Sequence, residues 1–183
     1  IRDSVCTSEN PRHLSTEHYF TFSDKFRKEY LPYTIELGRS FVQPSYQSRG
    51  NSKSIYALDN LWDGLGALIV LNPKAKYLFG KVTMYSSYQT VARNTLIYFL
   101  HKYFPDRDRL VTGRHPIDLG LDDPYYERIF TGENYVENYH ILIQRIREFN
   151  ENIPPLINAY MNLSPTMRVF DTVSNPDFGG VEE

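Results

Sequence analysis

Apolar residues recur at intervals of three and four in several stretches of the chain, which is the spacing of one face of an α-helix. The clearest stretch runs from Tyr56 to Leu71 and stops at Asn72-Pro73, because this pair favours the end of a helix. Further helices are predicted from Gln89 to Phe104, from Glu133 to Asn150, from Pro155 to Leu163 and, shorter, near Phe22–Tyr30.

Between these helices lie stretches with the composition of β-strands. Ile35 to Val42 is a strand candidate closed by Pro44, and Tyr77–Tyr85 and Met167–Val173 are two more, the last followed by a turn at residues 175–180. Residues 105–132 are predicted to be irregular. Strands and helices in this order indicate an α/β chain with one mixed sheet.

Composition narrows the class of protein. The 183 residues, 41% of them apolar, are enough for one sizeable core and too few for two full domains. A net charge of −2 gives no bulk attraction to nucleic acid. The single cysteine, Cys6, cannot form an internal disulfide, which favours a reducing compartment. Because the sequence opens on Ile1 without an initiator Met, we expect a fragment of a longer protein.

Several residue types that often carry chemistry lack a specific pattern here. Among the five histidines only His13 and His18 have a ligand-like spacing, in a segment of weak periodicity, so no metal site is predicted. Cys6 lacks a partner motif for a catalytic thiol, and Ser86-Ser87 lacks the Gly-x-Ser-x-Gly elbow of a hydrolase. The glycines form neither a Walker loop nor a dinucleotide fingerprint.

The most informative stretch lies between Glu36 and Gly50. In a regular strand Glu36 and Arg39 point to opposite faces, unless a bulge at Gly38 re-aims one of them. Taken alone, these charges are best explained by ion pairs to other elements. The strand candidate is followed by a Pro, a polar Arg-Gly loop and an amphipathic helix. This order is typical of sites that place a pyrophosphate at a helix N-terminus.

The same stretch resembles a family signature. Glu36-Leu37-Gly38-Arg39-Ser40-Phe41-Val42-x-Pro-x-Tyr is similar to the signature of N-acyltransferases with the acetyltransferase-like (GNAT) fold. These include the ornithine-lipid and glycine-lipid synthases, are often labelled "hemolysin", and are distantly related to acyl-homoserine lactone synthases. Further segments are similar to the Bacteroidetes versions, over residues 14–180 in all: Leu61-Trp62-Asp63-Gly64-Leu65-Gly66, Tyr77-Leu78-Phe79-Gly80, Ser86-Ser87-Tyr88, Ile153-Pro154-Pro155-Leu156 with Tyr160, and Asn175-Pro176-Asp177-Phe178-Gly179.

The resemblance implies a fold and a place for the acyl donor. The fold is an α/β (α+β) GNAT-like acyltransferase fold, with a mixed central sheet flanked by helices, as one domain over residues 1–183 that lacks its first strands. The strands with Glu36 and Phe79 would separate at their ends and hold the pantetheine arm of a thioester. Backbone groups near Phe41 and Val42 would hold the thioester, and loop residues would contact its phosphate: Ser48, Arg49, Gly50 and Asn51.

The resemblance also implies a reaction, in which a (3-hydroxy)fatty acyl group moves from an acyl carrier protein or acyl-CoA to the amine of glycine or ornithine in aminolipid biosynthesis. Glu36 is the candidate base, acting through water, and Tyr88 is a candidate acid. Arg39 either binds a substrate carboxylate or braces the sheet. No cofactor is expected to be bound tightly. The Gln47–Asn51 loop has one glycine where the usual phosphate loop has two, which favours the carrier protein as donor.

Two other functions stay open, a secreted cytolysin and a non-catalytic acyl-binding scaffold. The lack of a long amphipathic pore-former argues against the first.

Carrier proteins are acidic, so basic residues near the proposed entrance would steer them: Arg49, Lys53, Arg93, Lys102, Arg107 and Arg109. We expect a cytoplasmic protein that contacts the inner membrane peripherally through its lipid product, without a nucleic-acid partner.

Overall fold

The structure, a computed structural model, describes residues 14–38, 57–121 and 123–183, without the side chains of residues 57–62 and 123. The strands are β1 (Phe20–Phe22), β2 (Thr34–Leu37), β3 (Tyr77–Gly80), β4 (Val111–Gly113), β5 (Ser174–Asn175) and β6 (Val181–Glu182). The helices are α1 (Ala57–Leu71), α2 (Thr90–Tyr103), α3 (Asp123–Ile129), α4 (Tyr135–Arg147) and α5 (Pro155–Leu163).

The described residues fall into two compact units. The first holds residues 14–16, 24–38 and 57–81, and the second holds residues 17–23, 82–121 and 123–183. The first unit therefore contains β2, α1 and β3, and the second contains all the other strands and helices.

The first unit is built on two parallel strands. β2 and β3 pair in a register that places Glu36 opposite Phe79 and Leu37 opposite Gly80. Parallel neighbours need a crossover connection, and α1 lies within it. The ring of Phe79 is buried against Phe26, with 5.6 Å between ring centroids. The two strands thus bring the segments that carry Glu36 and Phe79 side by side.

Helices α2 and α4 supply much of the core of the second unit. The side chain of Gln89 accepts from the backbone N–H of Ala92 at the start of α2, and that of Asn134 accepts from Glu137 N–H at the start of α4. These side chains satisfy N–H groups that a helix start leaves without a partner. Phe99 is fully buried, and its neighbours account for part of the high aromatic content: Tyr103, Phe130, Tyr135 and Tyr139.

The strands of the second unit are short. β1 pairs antiparallel with β4, and β5 pairs antiparallel with β6 across the turn Pro176–Phe178. Met84 and Glu182 exchange two backbone hydrogen bonds of 2.7 and 3.0 Å. Met84 thus pairs with a residue of the C-terminal hairpin that lies 98 positions later in the chain.

Four of the predicted helices are confirmed within three residues at each end, as α1, α2, α4 and α5. The predicted single mixed sheet is wrong for the described residues, because they form three separate two-stranded sheets. In place of a strand at Met167–Val173 there are single bridges, from Val169 to Pro105 and from Val173 to Pro116. The stretch predicted to be irregular contains β4 and α3. The mixture of helices and strands agrees with the α/β class, and the GNAT-like fold and the single domain stay predictions.

Candidate functional site

Glu36 lies near the end of β2, where its carboxylate is surrounded by donors. Oε1 accepts from Thr16 N–H at 3.0 Å, from Thr16 Oγ1 at 2.8 Å and from Ser15 Oγ at 3.1 Å. Oε2 accepts from Ser15 N–H at 2.8 Å. The side chain therefore caps the 3₁₀ turn that begins at Ser15.

This geometry bears directly on the predicted role of Glu36 as a base. A carboxylate offers about four lone-pair positions, and the donors of Ser15 and Thr16 supply four hydrogen bonds. Three of these bonds fall on Oε1 and one on Oε2, so Oε2 keeps a lone-pair position at which a water or an amine could donate. The structure thus gives Glu36 a structural role, and its role as a base stays a prediction.

Tyr88, the candidate acid, lies four residues beyond Met84 in the second unit. Its hydroxyl donates to the backbone carbonyl of Asn152 at 2.9 Å. Burial, followed by the nearby charge of Glu151, raises the pKa of Tyr88 to about 12. The phenol is therefore held protonated near neutral pH, with its proton directed at a peptide oxygen, and its role as an acid stays a prediction.

The remaining predicted site residues lie outside the described residues: Arg39, Phe41, Val42, Ser48, Arg49, Gly50 and Asn51. The structure does describe the strand that precedes these residues in sequence, β2, and its neighbour β3. The two strands are parallel, and they end side by side at Leu37 and Gly80. The two strands are neighbours, as the resemblance implied, and they are paired up to Leu37 and Gly80, so the separation implied at their ends is not seen within the described residues. Glu36 belongs to the first unit and Tyr88 to the second.

Sequence reasoning missed a polar network at the C-terminal hairpin. Asn175 and Glu183 are buried, and the amide of Asn175 donates to Glu183 Oε1 at 2.9 Å. Thr83 Oγ1 donates to the other carboxylate oxygen of Glu183 at 2.8 Å, and Tyr19 donates to Asn175 Oδ1 at 3.0 Å. The signal in the sequence was the Asn-Pro-Asp-Phe-Gly motif, whose asparagine is the centre of this network.

An ion pair of the same hairpin corrects one sequence-based expectation. Arg93 was predicted to help steer an acidic carrier protein, yet its guanidinium is paired with Glu182, and the two side chains are only 15% and 18% exposed. In such a largely buried pair the two charges neutralise each other, so the arginine is not available to a partner protein. Arg93 is therefore withdrawn from the proposed docking surface, whereas Lys102, Arg107 and Arg109 are exposed.

The described residues show neither a metal site nor a membrane span. They contain no group of three or more His, Cys, Asp or Glu side chains placed to hold a metal ion. None of the helices in ranges 14–38, 57–121 and 123–183 combines the length and the apolar character that a membrane span requires.

The chain is similar to two curated proteins. It is 54% identical over 171 residues to a glycine N(alpha)-acyltransferase of Phocaeicola vulgatus, a match that covers 93% of this chain and 52% of the relative. It is 57% identical over 171 residues to a glycine N(alpha)-acyltransferase of Bacteroides thetaiotaomicron, covering 93% of this chain and 51% of the relative. The chain thus spans about half the length of these relatives.

No family model matches the chain. No solved structure matches it either.

Proposed function

We propose that the protein is an N-acyltransferase that moves a fatty acyl group from a thioester to the amine of an amino acid, with glycine as the preferred acceptor. The observation that carries this proposal is the identity of 54% and 57% to two proteins named glycine N(alpha)-acyltransferase, over 93% of the chain. Similarity at this level along almost all of the chain supports the same chemistry rather than a cytolysin or an inert scaffold.

The reaction sets three requirements on the protein. The amine must be neutral to attack, the thioester carbonyl must be polarised as it becomes an oxyanion, and the leaving thiolate must receive a proton. The ends of two parallel strands offer backbone N–H and C=O groups to a ligand that lies between them. We place the thioester at the ends of β2 and β3, near Leu37 and Gly80.

Our candidate residues follow from that placement. Phe41 and Val42 would hold the thioester through their backbone, the loop from Ser48 to Asn51 would bind the phosphate of the pantetheine arm, and Arg39 would bind the acceptor's carboxylate. A guanidinium suits that last task because its paired donors match a carboxylate. The donor is either an acyl carrier protein or acyl-CoA, and our preference for the carrier protein rests on the single glycine of the Gln47–Asn51 loop.

The proposal is tested by following thiol release from acyl-carrier protein and from palmitoyl-CoA, with each of the common amino acids as acceptor and mass spectrometry of the products. We expect thiol release that depends on the acceptor, with N-acylglycine as the main product. Thiol release that is the same without any amino acid, or no release from either donor, would rule out the proposal. N-acylornithine as the main product would overturn the choice of glycine alone.

A further inference from the structure

Three consecutive apolar side chains are exposed where α1 ends. Ile69 is 39% exposed, Val70 79% and Leu71 78%. We propose that this end of α1, together with the strand starts beside it, docks on a lipid bilayer that carries anionic headgroups. Such docking concerns where the protein sits rather than what it catalyses, so it goes beyond the proposed function and does not depend on it.

The exposed run belongs to a well-formed helix end. The side-chain amide of Asn72 donates to Leu68 O at 2.8 Å, and its backbone N–H donates to Ile69 O at 3.1 Å. These bonds satisfy carbonyl groups that the end of a helix leaves without a partner. None of the side chains at residues 63–71 of α1 is buried, although the apolar stripe of a helix normally faces a core. Isolated exposed apolar residues are common, whereas a contiguous group marks an interaction surface.

Lysines and tyrosines border this apolar run. A turn over residues 72–75 carries the chain from α1 to β3. The backbone N–H of Lys76 donates to Tyr33 O at 2.8 Å, and Nζ of Lys76 lies 4.8 Å from the centre of the Tyr33 ring. Tyr33 and Tyr77 are 39% and 41% exposed. The apolar run and these neighbours form the α1-end patch: Tyr33, Ile69, Val70, Leu71, Lys74, Lys76 and Tyr77.

The charge of the α1-end patch suits an anionic surface. The two segments that supply it, 30–35 and 64–80, contain two lysines and no Asp or Glu. The acidic residues that flank these segments are Glu29, Glu36 and Asp63, and the carboxylate of Glu36 already accepts four hydrogen bonds. The patch is therefore locally basic on a chain whose net charge is −2. An anionic bilayer attracts such lysines, and each one near its surface strengthens binding about fivefold.

The composition of the patch favours a bilayer over a protein partner. The competing occupants are a second copy of the chain and a part of a longer chain, since the curated relatives are about twice as long. Protein interfaces are depleted in lysine, and lysine is almost never fully buried. At a membrane surface, tyrosine rings lie at the level of the headgroups, and lysine stems cover apolar surface while their ammonium groups stay in water. Exposed aliphatic side chains between lysines and tyrosines match that environment.

Docking through this patch is compatible with the proposed place of the thioester. Tyr33 and Tyr77 lie where β2 and β3 start, whereas Leu37 and Gly80 lie where these strands end. At about 3.3 Å per residue, the two edges of this four-residue pairing are about 10 Å apart. A bilayer at the starting edge would thus leave the ends of β2 and β3 open to a donor in solution.

The test is co-sedimentation of the protein with vesicles of phosphatidylcholine alone and of phosphatidylcholine mixed with phosphatidylglycerol. We expect binding to the anionic vesicles that weakens as salt is raised. Leu71→Ser should weaken it about tenfold or more, because a leucine no longer enters the bilayer, and Lys74→Gln should weaken it about fivefold. The matched controls are Leu163→Ser, at a leucine of α5 that is 54% exposed, and Arg145→Gln on α4. Both controls should bind like the wild-type protein.

The outcomes separate a bilayer from the other occupants. Failure of the wild-type protein to bind either kind of vesicle would overturn the proposal, and so would binding that Leu71→Ser and Lys74→Gln leave unchanged. A dimer that Leu71→Ser converts to monomer in sedimentation velocity runs would assign the patch to a second copy. A clear fall in the melting temperature of Leu71→Ser, without vesicle binding, would assign it to a contact within the folded chain. Vesicle binding is measured without turnover, so the proposed acyl transfer can fail or stand independently of it.

Discussion

At the scale of single residues, Glu36 shows how one carboxylate can hold a turn that lies 20 positions earlier in the chain. Replacing it by Gln keeps an oxygen that accepts the three bonds of Oε1 but directs an NH₂ group at the N–H of Ser15. Two donors then face each other. We expect Glu36→Gln to lower the free energy of unfolding by about 0.5–1.5 kcal/mol, the usual net contribution of a hydrogen bond, because Ser15 is exposed and its N–H can turn to water; urea denaturation measures this loss.

A double-mutant cycle shows whether that loss arises at the cap. Thr16→Val removes the hydroxyl that donates to Oε1, and it should cost clearly less stability in a Glu36→Ala background than in the wild-type protein. Additive losses would mean that the bond contributes nothing. Activity per folded molecule is to be measured on the same variants, because a purely structural Glu36 predicts that it is retained.

Tyr88 gives a second prediction at this scale, through the dependence of stability on pH. Its pKa is raised from 10.0 to about 12, chiefly by burial. Between these values the folded state holds a proton that the unfolded state has lost, so stability falls as pH rises from 10 to about 12. Burial also raises the pKa of Tyr135 and Tyr160, which add to the same fall. Tyr88→Phe should flatten it in urea denaturation series, and Tyr85→Phe, at an exposed position, should not.

At the scale of elements, the β2–β3 pair depends on a residue without a side chain. A Cβ at Gly80 would lie 2.7 Å from the carbonyl oxygen of Leu37, a contact that requires the strands to move. We expect Gly80→Ala to lower the free energy of unfolding by about 1–3 kcal/mol, the range for overpacking. Gly66→Ala on α1 is the control with the opposite sign. A Cβ there meets nothing within 4 Å, and Ala favours a helix over Gly by up to about 1 kcal/mol. Equal effects of the two substitutions would contradict this account of Gly80.

The helices could be predicted from the sequence because their signals are local. The Asn72-Pro73 stop and the capping positions of Gln89 and Asn134 lie within a few residues of the helices that they limit. The strand pairings join residues that lie far apart in sequence, as in β1 with β4 and Met84 with Glu182. No local pattern therefore predicts them.

The same distinction applies to the candidate site. Glu36 was found because it lies in a contiguous motif, whereas its donors Ser15 and Thr16 could not be assigned from sequence. Tyr19 and Asn175 of the polar network at the C-terminal hairpin are 156 positions apart, and only folding brings them together.

At the scale of the whole molecule, the distribution of charge bears on how an acidic partner would dock more than net charge does. The chain carries −2 overall, and Arg93 is committed to Glu182. Lys102 and Arg107 remain exposed at and just after the end of α2, while the nearby Asp108 is paired with Arg168 at 2.6 Å. An acidic partner would therefore meet a locally basic surface on a protein whose bulk charge is slightly negative.

If the donor is an acyl carrier protein, this surface should set the rate at which it docks. Electrostatic steering is screened by salt, with a Debye length of about 10 Å at 0.1 M. We therefore expect kcat/KM for acyl-carrier protein to fall steeply between about 0.05 and 0.5 M salt, while kcat changes little. Arg107→Glu and Lys102→Glu should reproduce that loss at low salt. Arg145→Glu makes the same change in net charge on α4, at a residue paired with Glu148, and should have little effect. Equal use of palmitoyl-CoA, without salt dependence and without a response to Arg107→Glu, would assign the donor to coenzyme A, because a small thioester gains little from a protein-docking surface.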